Sequence, residues 1–403
     1  MTENRNLSNE NTKLGLTEED MHHLLEESPD EKTKAPAFDP KAIMKMMGDD
    51  FFDVDAYFES ADAKDFNLRM DAMKRGEDTP EAHEYWKNCD KGMKKELHQG
   101  DDPLERWASY LPLAALDSLN GKDDRTYPLI FVLHGAHNPI LMTEGYGMLQ
   151  LAAREELIAI VPQNENEEKL LSLLQYAKEH YPVDLSRIYL CGFSFGGCMT
   201  SRNAWLHPEL FAGIGWGGML FATEMPEHVL DGQYYPAFRI TDAMLSKMEE
   251  LQMPILLFMG ENEMLELLPL WRDQQHIGPD HRIPLQGADK HAAFNNLRRA
   301  AGCRPLEFRE KEAYEASLDP VVRHIGADFD RTQVVNDRGR DYYIGDSLNR
   351  DGECLFRTVG AGKLHHTPSR MWAEFIWEHI SQYARDPQTG RLIRLGSGYR
   401  RIY

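Results

Sequence analysis

Hydrophobic positions in this chain gather into short dense runs, with amphipathic stretches between them. Tyr127–Leu133, Leu157–Val161, Ile188–Cys191, Phe211–Gly218, Pro254–Gly260 and Cys354–Val359 are nearly continuous in β-branched, aromatic and aliphatic residues. Such runs are the mark of strands covered on both faces, as parallel strands are. An earlier run, Glu105–Leu111, alternates like a strand and stops at Pro112, with a polar loop through Asn120-Gly121 after it. Between the runs the period changes. Residues 142–155 are helical in pattern, and Leu170, Leu174, Ala177 and Tyr181 recur at helical spacing behind Asn164 and Glu167, which read as a capping box. Trp372, Ile376, Ile380 and Tyr383 fall on one face of a closing helix after the loop Leu364–Pro368. Strand and helix alternate throughout, which predicts an α/β chain with a doubly wound, mostly parallel sheet and helices on both faces.

The first hundred residues follow a different pattern. Residues 1–48 are polar and acidic, with little apolar periodicity, and predict a mobile arm. Residues 49–103 bring back aromatics, in F-F-D-V-D-A-Y-F and then Phe66, Tyr85 and Trp86, and predict two or three helices between Phe51 and His98 packed on the main domain, as a buttress or as part of a substrate lid. That domain is expected to span 104–403.

One run ends in chemistry. Ile188–Cys191 breaks into Gly192-Phe193-Ser194-Phe195-Gly196, the G-x-S-x-G pattern, and a helix to about His207-Pro208 follows. A serine at the apex of a strand-to-helix turn is held in a sparsely populated backbone conformation, so its neighbours must be small. The turn lifts the hydroxyl clear of the sheet and aims the Phe195 N–H at the place where an oxyanion would form.

A hydroxyl is a poor nucleophile at neutral pH and needs a base. On a hydrolase sheet the order is Ser, an acid after a later strand, then His after the last strand. The base is therefore His365 or His366. In Gly260-Glu261-Asn262-Glu263 the acid three residues past the glycine is Glu263, with Glu261 and Glu266 as alternatives. The loop after the first buried strand, His134-Gly135-Ala136-His137-Asn138, offers the Ala136 N–H as second oxyanion donor. His134 is expected to pack under that loop, and His137 to reach toward substrate. These histidines do not stand at metal-ligand spacings, and neither metal nor cofactor is expected.

Composition narrows the partners. A formal charge of −21 over 403 residues disfavours nucleic acid and anionic membrane as partners. No run of about 18 apolar residues occurs, and Met1-Thr2-Glu3-Asn4-Arg5 leads into polar sequence, so a cytoplasmic chain without signal peptide or membrane span is expected. Cys89, Cys191, Cys198, Cys303 and Cys354 are odd in number and read as reduced structural thiols.

Taken together, Y-P-L-I-F-V-L-H-G, I-V-P-Q, R-I-Y-L-C-G-F-S-F-G-G-C-M-T, H-P-E-L-F-A-G-I and P-I-L-L-F-M-G-E-N-E resemble the polyhydroxybutyrate depolymerase and feruloyl esterase-like branch of the α/β hydrolases, over roughly residues 105–385. The resemblance implies an α/β-hydrolase fold, ester hydrolysis by a Ser-His-acid triad, and no cofactor. It also favours His366 as base, from its spacing to the closing helix with Trp377 eleven residues on. Three features depart from the branch: the acid is Glu rather than Asp, residues 1–103 have no counterpart, and no export signal is visible. The expected substrate is thus a small-molecule ester rather than an extracellular polymer. A peptidase or acyltransferase with the same triad, and a silent hydrolase fold acting as a binding protein, are the other readings. No propeller-type repeat near 40 residues precedes the domain, which counts against an oligopeptidase.

Overall fold

The computed structural model describes residues 92–396 apart from 99, 101, 137, 139, 221–223, 226, 231, 264–265 and 274–286. The expected arm at 1–48 and the helices expected between Phe51 and Lys91 lie outside the described residues, as does His137.

Ten strands form one sheet among the described residues: β1 (Met93–His98), β2 (Trp107–Pro112), β3 (Tyr127–Leu133), β4 (Ile158–Pro162), β5 (Val183–Phe193), β6 (Gly213–Gly217), then, past four short strands β7 (Glu224–Met225), β8 (His228–Leu230), β9 (Gln233–Tyr235) and β10 (Phe238–Arg239), β11 (Ile255–Asn262), β12 (Arg331–Asp337), β13 (Arg340–Leu348) and β14 (Cys354–His365). Their order is β1-β2-β4-β3-β5-β6-β11-β14-β13-β12. The six strands from β4 to β14 are mutually parallel, and antiparallel pairs flank them at both edges. This is the mostly parallel sheet that the alternation of strands and helices predicts.

Alternation along each strand divides the core into two layers. In β3, Leu129, Phe131 and Leu133 face the layer of the Phe195–Leu206 and Glu167–His180 helices. Ile130 and Val132 face the opposite layer, with the Met148–Arg154 and Arg370–Ile380 helices. All seven residues of β3 are buried, which is why the run lacks a polar alternation. The closing helix sits unusually close to β6. A Cβ added at Gly213, Gly215 or Gly217 would come within 2.8, 2.7 and 2.8 Å of Ile380, Ile376 and Trp372 respectively. One face of the G-I-G-W-G strand therefore matches one turn-by-turn stripe of that helix, and any side chain there would push the helix away.

Several expectations need correction. Met93–His98 is a strand rather than part of a helical extension, paired antiparallel with β2 along all six residues, so the sheet begins before residue 104. The segment after Pro112 is a helix, Leu113–Leu119, before the turn at Asn120-Gly121. The helix at 167 is capped by Asn166, whose side chain accepts from the Lys169 N–H at 2.9 Å, while Asn164, two residues earlier, accepts from the Asn166 N–H. Helical pattern at 142–155 splits into a 3₁₀ segment, Ile140–Tyr146, and a short α-helix from Met148. Two further strands of the large sheet were missed, β12 and β13. They form a hairpin closed by Arg338 (φ 49°) and Gly339 (φ 86°), the positive-φ pair a two-residue turn needs, and β12 lies at the sheet edge with mostly exposed side chains, so it carries no dense apolar run.

Beyond the closing helix, Arg385 is 1% exposed and donates to the carbonyls of Phe211, Leu251, Gln252 and Gly390. Burial lowers its pKa to about 10, and the four carbonyls are what make a buried guanidinium tolerable. No described helix is long and apolar enough to cross a membrane.

Candidate active site

Strand order reverses at β3, which has β4 on one side and β5 on the other. Loops leaving the carboxyl ends of neighbouring strands at such a point diverge and leave a crevice. The β3 loop and the β5 turn both open there.

Ser194 ends β5 with φ 55° and ψ −120°, a conformation costing on the order of 1–3 kcal/mol for a non-glycine residue. The surroundings hold it. Its N–H donates to Gly217 O at 2.8 Å, and its carbonyl accepts from the Gly197 and Cys198 N–H groups. The flanking glycines have no room for anything larger: a Cβ at Gly192 would lie 2.3 Å from Gly196 O, and one at Gly196 2.4 Å from His134 O. Phe195 is the first residue of the helix, where N–H groups have no acceptor within the helix itself.

The β3 loop is fixed from below. His134 is buried with its ring nitrogens 2.8 Å from Gly135 O and 3.0 Å from Gln163 O, as its expected place under the loop required. The Gly135 N–H donates to Tyr146 Oη at 3.0 Å, and burial raises that phenol to about 12, so it stays a neutral hydroxyl. With Gly135 so engaged, the next N–H along the loop is that of Ala136. A Cβ built on Gly135 would lie 3.6 Å from Ser194 Cβ, which measures how near this loop runs to the serine.

His366 stands just past β14. Its Nε2 is 2.8 Å from Ser194 Oγ, and its Nδ1 is hydrogen-bonded to Glu263 Oε2. The His366 and Glu263 side chains are 8% and 1% exposed, while Ser194 is half-buried, so the relay opens to solvent only at its serine end. The imidazole packs on Phe193, ring centroids 5.0 Å apart. Glu263 also accepts weakly from the Gly260 N–H at 3.4 Å.

Of the alternative residues, His365 is the last residue of β14, paired with Asn262. Glu261 turns elsewhere, accepting the Lys363 N–H at 2.7 Å. That contact fastens an irregularity the sequence did not reveal. Gly260 pairs with Ala361 but Asn262 with His365, so β14 spends four residues against two of β11, with Lys363 at φ 55°. The bulge turns the end of β14 so that His366 meets Glu263. Glu266 is linked to the acid through its backbone, its N–H donating to Glu263 O at 2.9 Å. Tyr146 and Gln163 are thus supporting residues that sequence reasoning missed, only the Q of I-V-P-Q marking one of them, and Glu261, an alternative acid by sequence, supports the bulge instead.

The segment between β6 and β11 contributes both to core and to the site's rim. Met225, Tyr235 and Phe238 are buried, while Val229 and Tyr234 are exposed. Tyr235 packs edge-on against Phe195 at 5.1 Å, and Gln233 accepts from Asn164 Nδ2 at 2.7 Å. The described cysteines Cys191, Cys198, Cys303 and Cys354 are unpaired. Burial raises the Cys198 and Cys303 thiols to about 12, so neither competes as a nucleophile. A groove of about 310 Å³ lined by Trp271, Arg323, His324 and Tyr343 lies beyond Glu261, and neither Ser194 nor His366 lines it.

No protein-family profile and no curated protein matches the chain. Among solved structures it is similar to an acetyl xylan esterase from Aspergillus awamori, at 11% identity and TM-score 0.42, covering 72% of this chain and 99% of that one. An S-formylglutathione hydrolase from Agrobacterium tumefaciens gives 12% identity and TM-score 0.40 over 72% and 94%. FphF, a fluorophosphonate-binding serine hydrolase of Staphylococcus aureus, gives 17% identity and TM-score 0.35 over 43% and 82%. Likeness of this degree assigns no activity, and the functional reading rests on the chain's own residues.

Proposed function

We propose that this protein is a serine hydrolase of small-molecule carboxylic esters. The observation that carries the reading is the single imidazole of His366 in hydrogen-bond contact with both Ser194 and Glu263. Ser194 Oγ attacks the ester carbonyl carbon as His366 Nε2 takes its proton, and the carbonyl electron pair moves onto oxygen. The Phe195 and Ala136 N–H groups receive that oxyanion. Collapse of the tetrahedral species breaks the bond to the alcohol oxygen, which leaves with the proton from Nε2. Water then repeats the sequence on the acyl-enzyme, with His366 again as base. Glu263 keeps Nδ1 protonated and stabilises the imidazolium. Its extra methylene relative to Asp is accommodated because the β14 bulge sets where His366 stands.

A fluorophosphonate probe should label wild-type protein at Ser194 and leave Ser194→Ala unlabelled, with nitrophenyl butyrate hydrolysed by the first alone. Absence of labelling would leave a binding protein, and turnover of peptides instead of esters would leave a peptidase. Cytoplasmic residence is part of the proposal, to be tested by fractionation.

A further inference from the structure

Lys290, in the Gly287–Ala300 helix, has no exposed surface. Among the described residues its ammonium faces no carboxylate at bonding distance; it donates to two backbone carbonyls, Glu266 O at 2.5 Å and Arg272 O at 2.6 Å. These carbonyls bracket the stretch that follows the acid. At one end the Glu266 N–H donates to Glu263 O at 2.9 Å, and at the other the Arg272 N–H donates to Pro269 O at 3.0 Å. A buried cation is unfavourable unless its donors are satisfied, and an aliphatic side chain would fill the same space without that cost. What the ammonium adds is a charge-assisted tie between two points of a segment that belongs to no strand or helix.

We propose that Lys290 is a positioning residue for Glu263, its buried ammonium holding the 266–272 segment and thereby the carboxylate against His366. The inference rests on the triad reading above.

Burial, with Arg272 adding to it, lowers the Lys290 pKa to about 8, while Glu266 and Asp273 oppose the shift; His291 on the same helix is the other described titratable group that senses it. A neutral amine still donates, but without charge assistance. Turnover should therefore fall as pH rises through about 8. Stability moves the other way. The pKa is about 8 in the fold against 10.5 ordinarily, so between these values the unfolded chain holds more protons, and this group's contribution to stability grows with pH. A residue with a merely structural role would move turnover and stability together.

The test is the pH profile of nitrophenyl butyrate hydrolysis, blank-subtracted from pH 6 to 9.5, with melting temperature read alongside. Wild type should lose kcat by roughly tenfold across the alkaline limb at constant KM, with no matching loss of melting temperature. Lys290→Met, which has no donor at all, should lie at or below the wild-type alkaline value at every pH and lack the limb. Lys290→Arg, whose charge persists, should move the limb out of range. Should Lys290→Met fail to fold, the wild-type limb and Lys290→Arg decide. A Lys290→Met profile equal to wild type, a wild-type limb kept in Lys290→Arg, or a kcat that tracks melting temperature would overturn the proposal. Fluorophosphonate labelling and Glu263→Gln run in parallel separate the two readings: labelled protein that depends on Glu263 but not on Lys290 overturns only this one.

Discussion

The two sides of the His366 imidazole are built by opposite means. On the serine side everything is local: five consecutive residues, two glycines without room for a Cβ and a backbone bond from Ser194 to the neighbouring strand make the geometry. On the acid side Glu263 and His366 are 103 residues apart and meet only because β11 and β14 pair in parallel with a bulge between them. A local device is rigid and admits little variation. An assembled one has adjustable parts, and it is on that side that Glu stands where the branch it resembles has Asp.

The comparison can be broken at its strong end first. Ser194→Ala should lower ester turnover by about 10⁴-fold or more, since only oxyanion binding remains; a folded variant that kept most of its activity would remove the elbow from the chemistry. Next come the acid and base. His366→Ala should abolish turnover, and Glu263→Gln should cost on the order of 10³- to 10⁴-fold, because the amide can present an N–H to the ring and favour the wrong tautomer. Glu263→Asp sharpens the contrast: if the acid side is adjustable, partial activity survives, whereas complete loss would make it as rigid as the elbow. His365→Ala should cost less than about tenfold, as it removes a strand-end side chain and not the relay. The smallest effect is expected for Glu261→Gln, about threefold or less in kcat, because the amide oxygen can still accept the Lys363 N–H at an exposed site. A large loss there would mean that the carboxylate's charge, and not only its acceptor, shapes the bulge.

The same division explains what was legible in the sequence. The elbow, the buried strands and the Leu170-Leu174-Ala177 face are written in neighbouring residues, so periodicity and glycine spacing reveal them. Order along the chain confined the base to His365 or His366 and the acid to the carboxylates after β11, even across 103 residues, and the preference for His366 came from the resemblance. The bulge was not, since it exists only as a mismatch between β11 and β14 and neither strand alone contains it. Lys290 gave no signal for the same reason: its partners are carbonyls, which every residue carries. At Asn164 the error was one of competition, as both Asn164 and Asn166 can cap and only the tertiary path of the β4 loop selects the second. The hairpin of β12 and β13 escaped because an edge strand need not be apolar, although N-D-R-G-R contains its turn.

Ser194 and His366 are 172 residues apart, and Arg385 joins Phe211, Leu251 and Gln252 from farther along still. During synthesis the elbow emerges long before the residues that activate it. A growing chain can form β3, β5 and the strained turn, yet the hydroxyl is an ordinary alcohol until the segment carrying His366 has left the ribosome and docked beside β11. The guanidinium that locks the adjoining layer arrives later again. On the triad reading reactivity is therefore acquired late on the way to the fold, and a product truncated before His366 would carry an intact G-x-S-x-G without its base.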